Sequence, residues 1–172
     1  TRFDTADKKV APFGYLVRTN FAYTSPDYRE GGGFIRAERM SHLAEMAQAT
    51  GQLDVRFILE QAARDLNHEK LHSYPLAVNL PQDPARPLYI NTNDTINRNS
   101  SVAAIVFSGA PSAERADLAT MWVILGQPIA SVAIPVWPYA GQVPTLASAP
   151  GQETCQLNAH SRQLVNYLYS DK

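Results

Sequence analysis

Apolar residues recur along this chain at two different periods, and each period predicts its own kind of element. Met40, Leu43, Ala44 and Ala47 fall at i, i+3, i+4 and i+7, one face of an α-helix, and Gly51 stands where a C-terminal cap belongs. Asp54 is placed as the N-cap of a second helix that sets Val55, Ile58, Leu59, Ala62 and Leu66 on one side. Together these predict a helical hairpin with one apolar face. Unbroken apolar runs tell a different story: Val102 to Phe107, Met121 to Leu125 and Ile129 to Val136 predict neighbouring strands of one antiparallel sheet. Tyr15 to Thr19 reads as a further strand.

The segments between them are punctuation. Ser25-Pro26-Asp27 and Gly31-Gly32-Gly33 predict loops, and Pro75, Pro81, Pro84 and Pro87 forbid regular structure across a surface crossing. An Asn-rich stretch from Asn91 to Asn99 follows. Pro111 to Leu118 predicts a short helix or turn, and Leu157, Ser161, Leu164 and Leu168 predict a C-terminal helix from about Gln152. The expected class is α+β, helices on a mostly antiparallel sheet, in a single domain over residues 1–172.

Composition narrows the function classes. With 172 residues, 45% hydrophobic, 18% charged and a formal net charge of -1, the chain has material for one core and no dominant charge. Lys8-Lys9 is the nearest thing to a basic run, so a nucleic-acid surface is not expected. Met121 to Trp137 is interrupted by Gly126, Gln127, Pro128, Ser131 and Pro135, so no membrane helix is expected there. The lone Cys155 excludes an intrachain disulfide and fits a reducing compartment, while leaving cytoplasm and periplasm both open. A start at Thr1 rather than methionine predicts a processed polypeptide or a fragment. Self-association stays open.

Candidate chemistry sits beside two of the apolar runs. Arg18-Thr19-Asn20 closes the first, and Asn97-Arg98-Asn99-Ser100-Ser101 leads into the run that begins at Val102. An amide and a guanidinium at strand ends are suited to stabilising an oxyanion or anchoring a carboxylate. The ordinary reading of each is plainer: Asn20 as a turn residue bonding its local backbone, Arg98 as a solvated cation. Arg18 could anchor a substrate carboxylate, although strand alternation puts it on the face opposite Thr19.

The words Ala11-Pro-Phe-Gly-Tyr-Leu-Val-Arg-Thr-Asn-Phe21, Ile96-Asn-Arg98, Thr120-Met-Trp-Val-Ile-Leu-Gly126 and Ser131-Val-Ala-Ile-Pro-Val-Trp137 stand in this order along the chain. In them the sequence resembles the C-terminal half of an N-terminal-nucleophile hydrolase. The group is that of choloylglycine hydrolases, penicillin V acylases and acyl-CoA:6-aminopenicillanic acid acyltransferases, and the likeness is nearest to linear amide C-N hydrolases. The resemblance implies part of a four-layer αββα sandwich, no cofactor and a small acyl amide as substrate. It also implies a free N-terminal Cys, Ser or Thr as nucleophile, with its own α-amino group as base. An α-amino group of unperturbed pKa about 7.7 to 8.0 is partly deprotonated near neutrality.

By the same resemblance Asn20 is the oxyanion donor and Arg98 the electrostatic residue near the nucleophile. The family's nucleophile, with an Arg and an Asp beside it, belongs to an N-terminal half that has no counterpart here, and Cys155 lies near the wrong end to replace it. The expectation is therefore that an upstream half or companion chain supplies the attacking thiol. Thr1 as nucleophile is the alternative.

Two readings from other classes compete. His68-Glu-Lys-Leu-His72 spells the zincin word, in which two His one helical turn apart hold zinc and the Glu activates water. Tyr74-Pro75 ends any helix there, and neither Asp83 nor Asp94 lies on a predicted helix that would supply a third ligand. The bland alternative is a solvated helix end. The other reading is a binding or assembly module on the same scaffold, without chemistry. Met40, Met46, Trp122 and Trp137 are core or contact residues by default.

Overall fold

A computed structural model describes residues 11–21, 31–71 and 92–168, together with Lys8, Pro26 and Arg29. It is an α+β structure with one three-stranded antiparallel sheet. Thr1, His72 and the proline-rich crossing lie outside the described residues.

Helix α1 spans Gly32–Ala49. It starts eight residues before the first apolar position of the predicted periodic face, so Gly32 and Gly33 form its first turn rather than a loop. Its end is as the sequence predicts. Gly51 takes φ 69, Gly51 N–H donates to the Gln48 carbonyl and Gln52 N–H to the Ala47 carbonyl. That pair of bonds closes the helix through a residue for which a left-handed backbone costs nothing. Helix α2 is short, Val55–Glu60, and Asp54 caps it by accepting from Phe57 N–H at 2.8 Å. At Gln61 the chain tightens into a 3₁₀ turn, Ala62–Arg64, which shifts the phase of the predicted apolar face. Phe57, absent from that predicted face, is buried and joins Leu43, Ala47 and Ala62 in the core between the two helices.

Strands β1 Ala103–Ser108, β2 Thr120–Leu125 and β3 Ala133–Val136 pair in that order. Ile105 faces Val123 and Val123 faces Ile134, which fixes the register of one side of the sheet. The third strand is shorter than predicted, because Pro128–Ala130 folds as a 3₁₀ turn before it. Pro135 is tolerated because β3 is an edge strand, where a missing N–H leaves no ladder bond broken on its open side. Ala113–Leu118, where a short helix or turn is expected between the first two strands, forms 3₁₀ turns kinked at Arg115.

Helix α3, Gln156–Leu168, docks beside the end of β2. Ser161 is buried against Gly126, where an added Cβ would lie 2.2 Å from Ser161 Oγ. Leu164, predicted for the buried face, is 54% exposed.

The predicted strand at Tyr15 to Thr19 is not one. These residues form no regular element and lie outside the sheet, and α1 takes the place of a partner strand. Gln48 Nε2 donates to the Phe13 carbonyl at 2.5 Å, Tyr15 Oη to the Ser41 carbonyl at 3.5 Å, and Thr19 Oγ1 to the Gly33 carbonyl. Ascending numbers on the segment meet descending numbers on the helix, so the two run antiparallel. The consequence is positional: Asn20 arrives at the N-terminus of α1.

Candidate functional site

The glycines at the start of α1 are explained by what crowds them. A Cβ on Gly33 would lie 2.8 Å from the Asn20 carbonyl oxygen, and one on Gly32 would lie 1.9 Å from Asp94 Oδ1 and 3.3 Å from Arg36 Nη1. Only a bare backbone lets segment 19–21 approach the helix at Gly33 while Asp94 reaches it at Gly32.

Arg36, one turn further along α1, occupies the space so formed. Its Nη2 donates to Asn20 Oδ1 at 2.5 Å. Burial lowers its pKa from the ordinary arginine value, repulsion from the Arg98 guanidinium lowers it further, and the Asp94 carboxylate opposes both. Residues distant in sequence thus bear on one side chain: Asn20 by a hydrogen bond, Arg98 and Asp94 by charge.

Arg98 is not at a strand start. It belongs to an ordered loop built from buried polar groups that precedes β1. Thr95 and Asn97 are fully buried. Thr95 Oγ1 lies 2.9 Å from the Thr92 carbonyl and 2.7 Å from that of Asn97, and Asn99 N–H donates to Thr92 Oγ1 at 2.9 Å. Asn97 ties the loop outward, its N–H donating to the Asp65 carbonyl and its Oδ1 accepting from Ile129 N–H at 3.1 Å. Arg98 is held by its backbone, N–H to Ser101 Oγ at 3.0 Å and carbonyl to Gln127 Nε2 at 2.6 Å.

Asp65 extends this scaffold to α1. Arg39 Nε meets Asp65 Oδ2 at 2.7 Å with both side chains largely buried, and Asn67 N–H and Nδ2 donate to Asp65 Oδ1 at 2.9 and 2.8 Å. A buried carboxylate with this many donors is satisfied in place and fixes the geometry around it.

Arg18 stands apart from the cluster. It is exposed, its Nη1 donates to its own neighbour's carbonyl at Val17, and it lines a groove of about 530 Å³ with Val17, Phe21 and Phe34. The same groove carries Glu38, Glu45 and Glu69, whose charge disfavours an anionic ligand. A carboxylate-anchoring role for Arg18 therefore gains nothing from its surroundings.

The zincin word is not assembled among the described residues. Glu69–Leu71 forms a 3₁₀ turn, which does not stack residues four apart as an α-helix does. Glu69 is engaged by His42 Nδ1 at 3.1 Å and Arg39 Nη1 at 3.6 Å, and His68 Nδ1 accepts from Lys70 N–H at 3.2 Å. Among the described residues no three His, Cys, Asp or Glu side chains converge as a metal site.

Of the residues singled out in the sequence, Asn20 and Arg98 come to bear on one group, Arg18 stands apart in its own groove, and Thr1 is outside the described residues. Arg36 has no place in the sequence reading, Asp94 enters it only as a rejected zinc ligand, and Asn97 only as a member of the polar word around Arg98. The signal that could have found Arg36 is the glycine pair before it, a mark of close backbone approach. Compared with protein-family models, curated proteins and solved structures, the chain matches none.

Proposed function

We propose that this chain forms part of an N-terminal-nucleophile hydrolase acting on linear amide C-N bonds. The acyl group passes through a covalent acyl-enzyme to water or an amine. Asn20 donates to the oxyanion, and Arg98 supplies positive potential that favours the deprotonated nucleophile and the charge developing on the carbonyl. The nucleophile comes from a polypeptide segment outside these residues, and Thr1 is the alternative.

The observation that carries this reading is that Arg36 holds Asn20 Oδ1 and feels the charge of Arg98. The resemblance picked out those two residues separately, and the fold sets both in the surroundings of one guanidinium. The sheet lends support to the four-layer arrangement. Ile105 and Phe107, on one side of β1, are 52% and 77% exposed, while α2 packs near Trp122 and Ala133 on the other side. Strands apolar on both sides suit a sheet sandwiched between two layers.

In the complete enzyme, Asn20→Ala is expected to lower turnover of an acyl amide by about 100-fold or more, the usual cost of an oxyanion donor. Wild-type turnover in that variant removes Asn20 from the mechanism. If the 172-residue chain by itself cleaves acyl amides and Thr1→Ala abolishes the activity, the nucleophile is Thr1.

A further inference from the structure

An asparagine amide has two ends of opposite character. To stabilise an oxyanion it must turn Nδ2, its donor end, toward the reacting carbonyl, and Oδ1 in the same place would repel the developing charge. The two orientations differ by a half-turn of a terminal torsion that the side chain itself scarcely discriminates. Asn20 is exposed, so packing does not discriminate between them either.

A neighbouring group settles the choice. Arg36 Nη2 lies 2.5 Å from Asn20 Oδ1. A guanidinium carries only donors, so it can hold the oxygen end of the amide and never the nitrogen end. Reversing Asn20 would set N–H against N–H beside a full positive charge. The bond is charge-assisted, and drawing electron density toward Oδ1 makes the Nδ2 hydrogens stronger donors.

Resting on the reading of Asn20 as the oxyanion donor, we propose that Arg36 is a positioning residue whose guanidinium grips Asn20 Oδ1 and so presents Nδ2 to the reacting carbonyl. The grip is itself braced. Arg36 rises from α1 one turn beyond Gly32, where Asp94 Oδ1 and Arg36 Nη1 crowd the same point above the bare backbone. Arg98 repels Arg36 and Asp94 attracts it, which biases the guanidinium away from the one and toward the other. The network thus couples the two ends of the candidate site through a side chain that touches no substrate.

The test compares Arg36→Met, Arg36→Lys and Asn20→Ala in the complete enzyme, singly and with Asn20→Ala combined with Arg36→Met. Arg36→Met is expected to lower kcat about 10- to 100-fold with KM within about twofold, because the loss falls on the transition state. Added to Asn20→Ala, it should cost less than about threefold more, since the group it positions is already gone. Arg36→Lys should recover part of the loss, having the charge without the fork. In the 172-residue chain, the Asn20 side-chain amide protons should move toward free-asparagine shifts in Arg36→Met while backbone resonances stay dispersed.

Full turnover in Arg36→Met beside a crippled Asn20→Ala overturns the role of Arg36 and leaves that of Asn20 standing. Losses that multiply in the double variant overturn it as well, since Arg36 would then act independently. Unchanged turnover in Asn20→Ala removes both. Should Arg36→Met fail to fold, Arg36→Gln decides: its uncharged amide can accept as well as donate and so does not fix the Asn20 orientation, and wild-type kcat together with wild-type Asn20 amide shifts in that variant overturns the proposal.

Discussion

At Gly33 the missing side chain is what counts. Alanine is the better helix former by about 1 kcal/mol, so in open solvent Gly33→Ala would strengthen α1. Here the new Cβ would meet a backbone oxygen at 2.8 Å, that of Asn20, and backbone cannot swing aside as a side-chain tip can. The expected outcome is a net destabilisation of about 1 to 3 kcal/mol, the cost of overpacking, with Asn20 displaced from Arg36. Gly109→Ala is the control: nothing lies within 4 Å of its Cβ position, and its stability should stay within about 0.5 kcal/mol of wild type. Urea titration of both variants makes the comparison. Asn20 and Arg98 were legible in the sequence because each sits in a word of polar residues beside an apolar run. Arg36 was not, because an arginine on a helix reads as one more solvated cation until the chain folded against it is known.

Elements were legible where their causes are local. Asp54 and Gly51 act within a few residues of themselves, and both caps form as the sequence predicts. Replacing Asp54 by alanine leaves Phe57 N–H without its acceptor and should cost about 1 kcal/mol of stability, read from the denaturation midpoint at constant slope. Tyr15 to Thr19 was misread because a strand is defined by its partner, and the apolar run does not name one. Its ties go to side chains and carbonyls of α1 instead of to a ladder. The truncated β3 has a similar origin: Ile129 looks like the start of a strand, but Pro128 and the bond from Ile129 N–H to Asn97 Oδ1 commit that stretch to a turn. Long-range bonds of this kind leave no period behind in the sequence.

For the molecule as a whole, the sheet matters most, because one of its faces is more apolar than water tolerates well. Ile105 and Phe107 project from β1 on the side away from α2, and a run of six apolar or small residues gave no hint which side that would be. At micromolar concentrations the isolated chain should self-associate through this face. Ile105→Lys combined with Phe107→Lys should restore a monomer in sedimentation velocity with an unchanged far-UV circular dichroism spectrum. A monomeric wild-type chain would show that the face needs no cover. The scale of the whole also gives the segment along α1 a further meaning. The chain from Tyr15 to Thr19 is tied to the Ser41 and Gly33 carbonyls, which a helix rising 1.5 Å per residue sets roughly 12 Å apart, and that segment covers about 13 to 14 Å when fully stretched. It has little slack. The helix acts as a ruler for the chain laid against it: one residue removed would pull Asn20 short of the Arg36 guanidinium, and one added would push the amide past it.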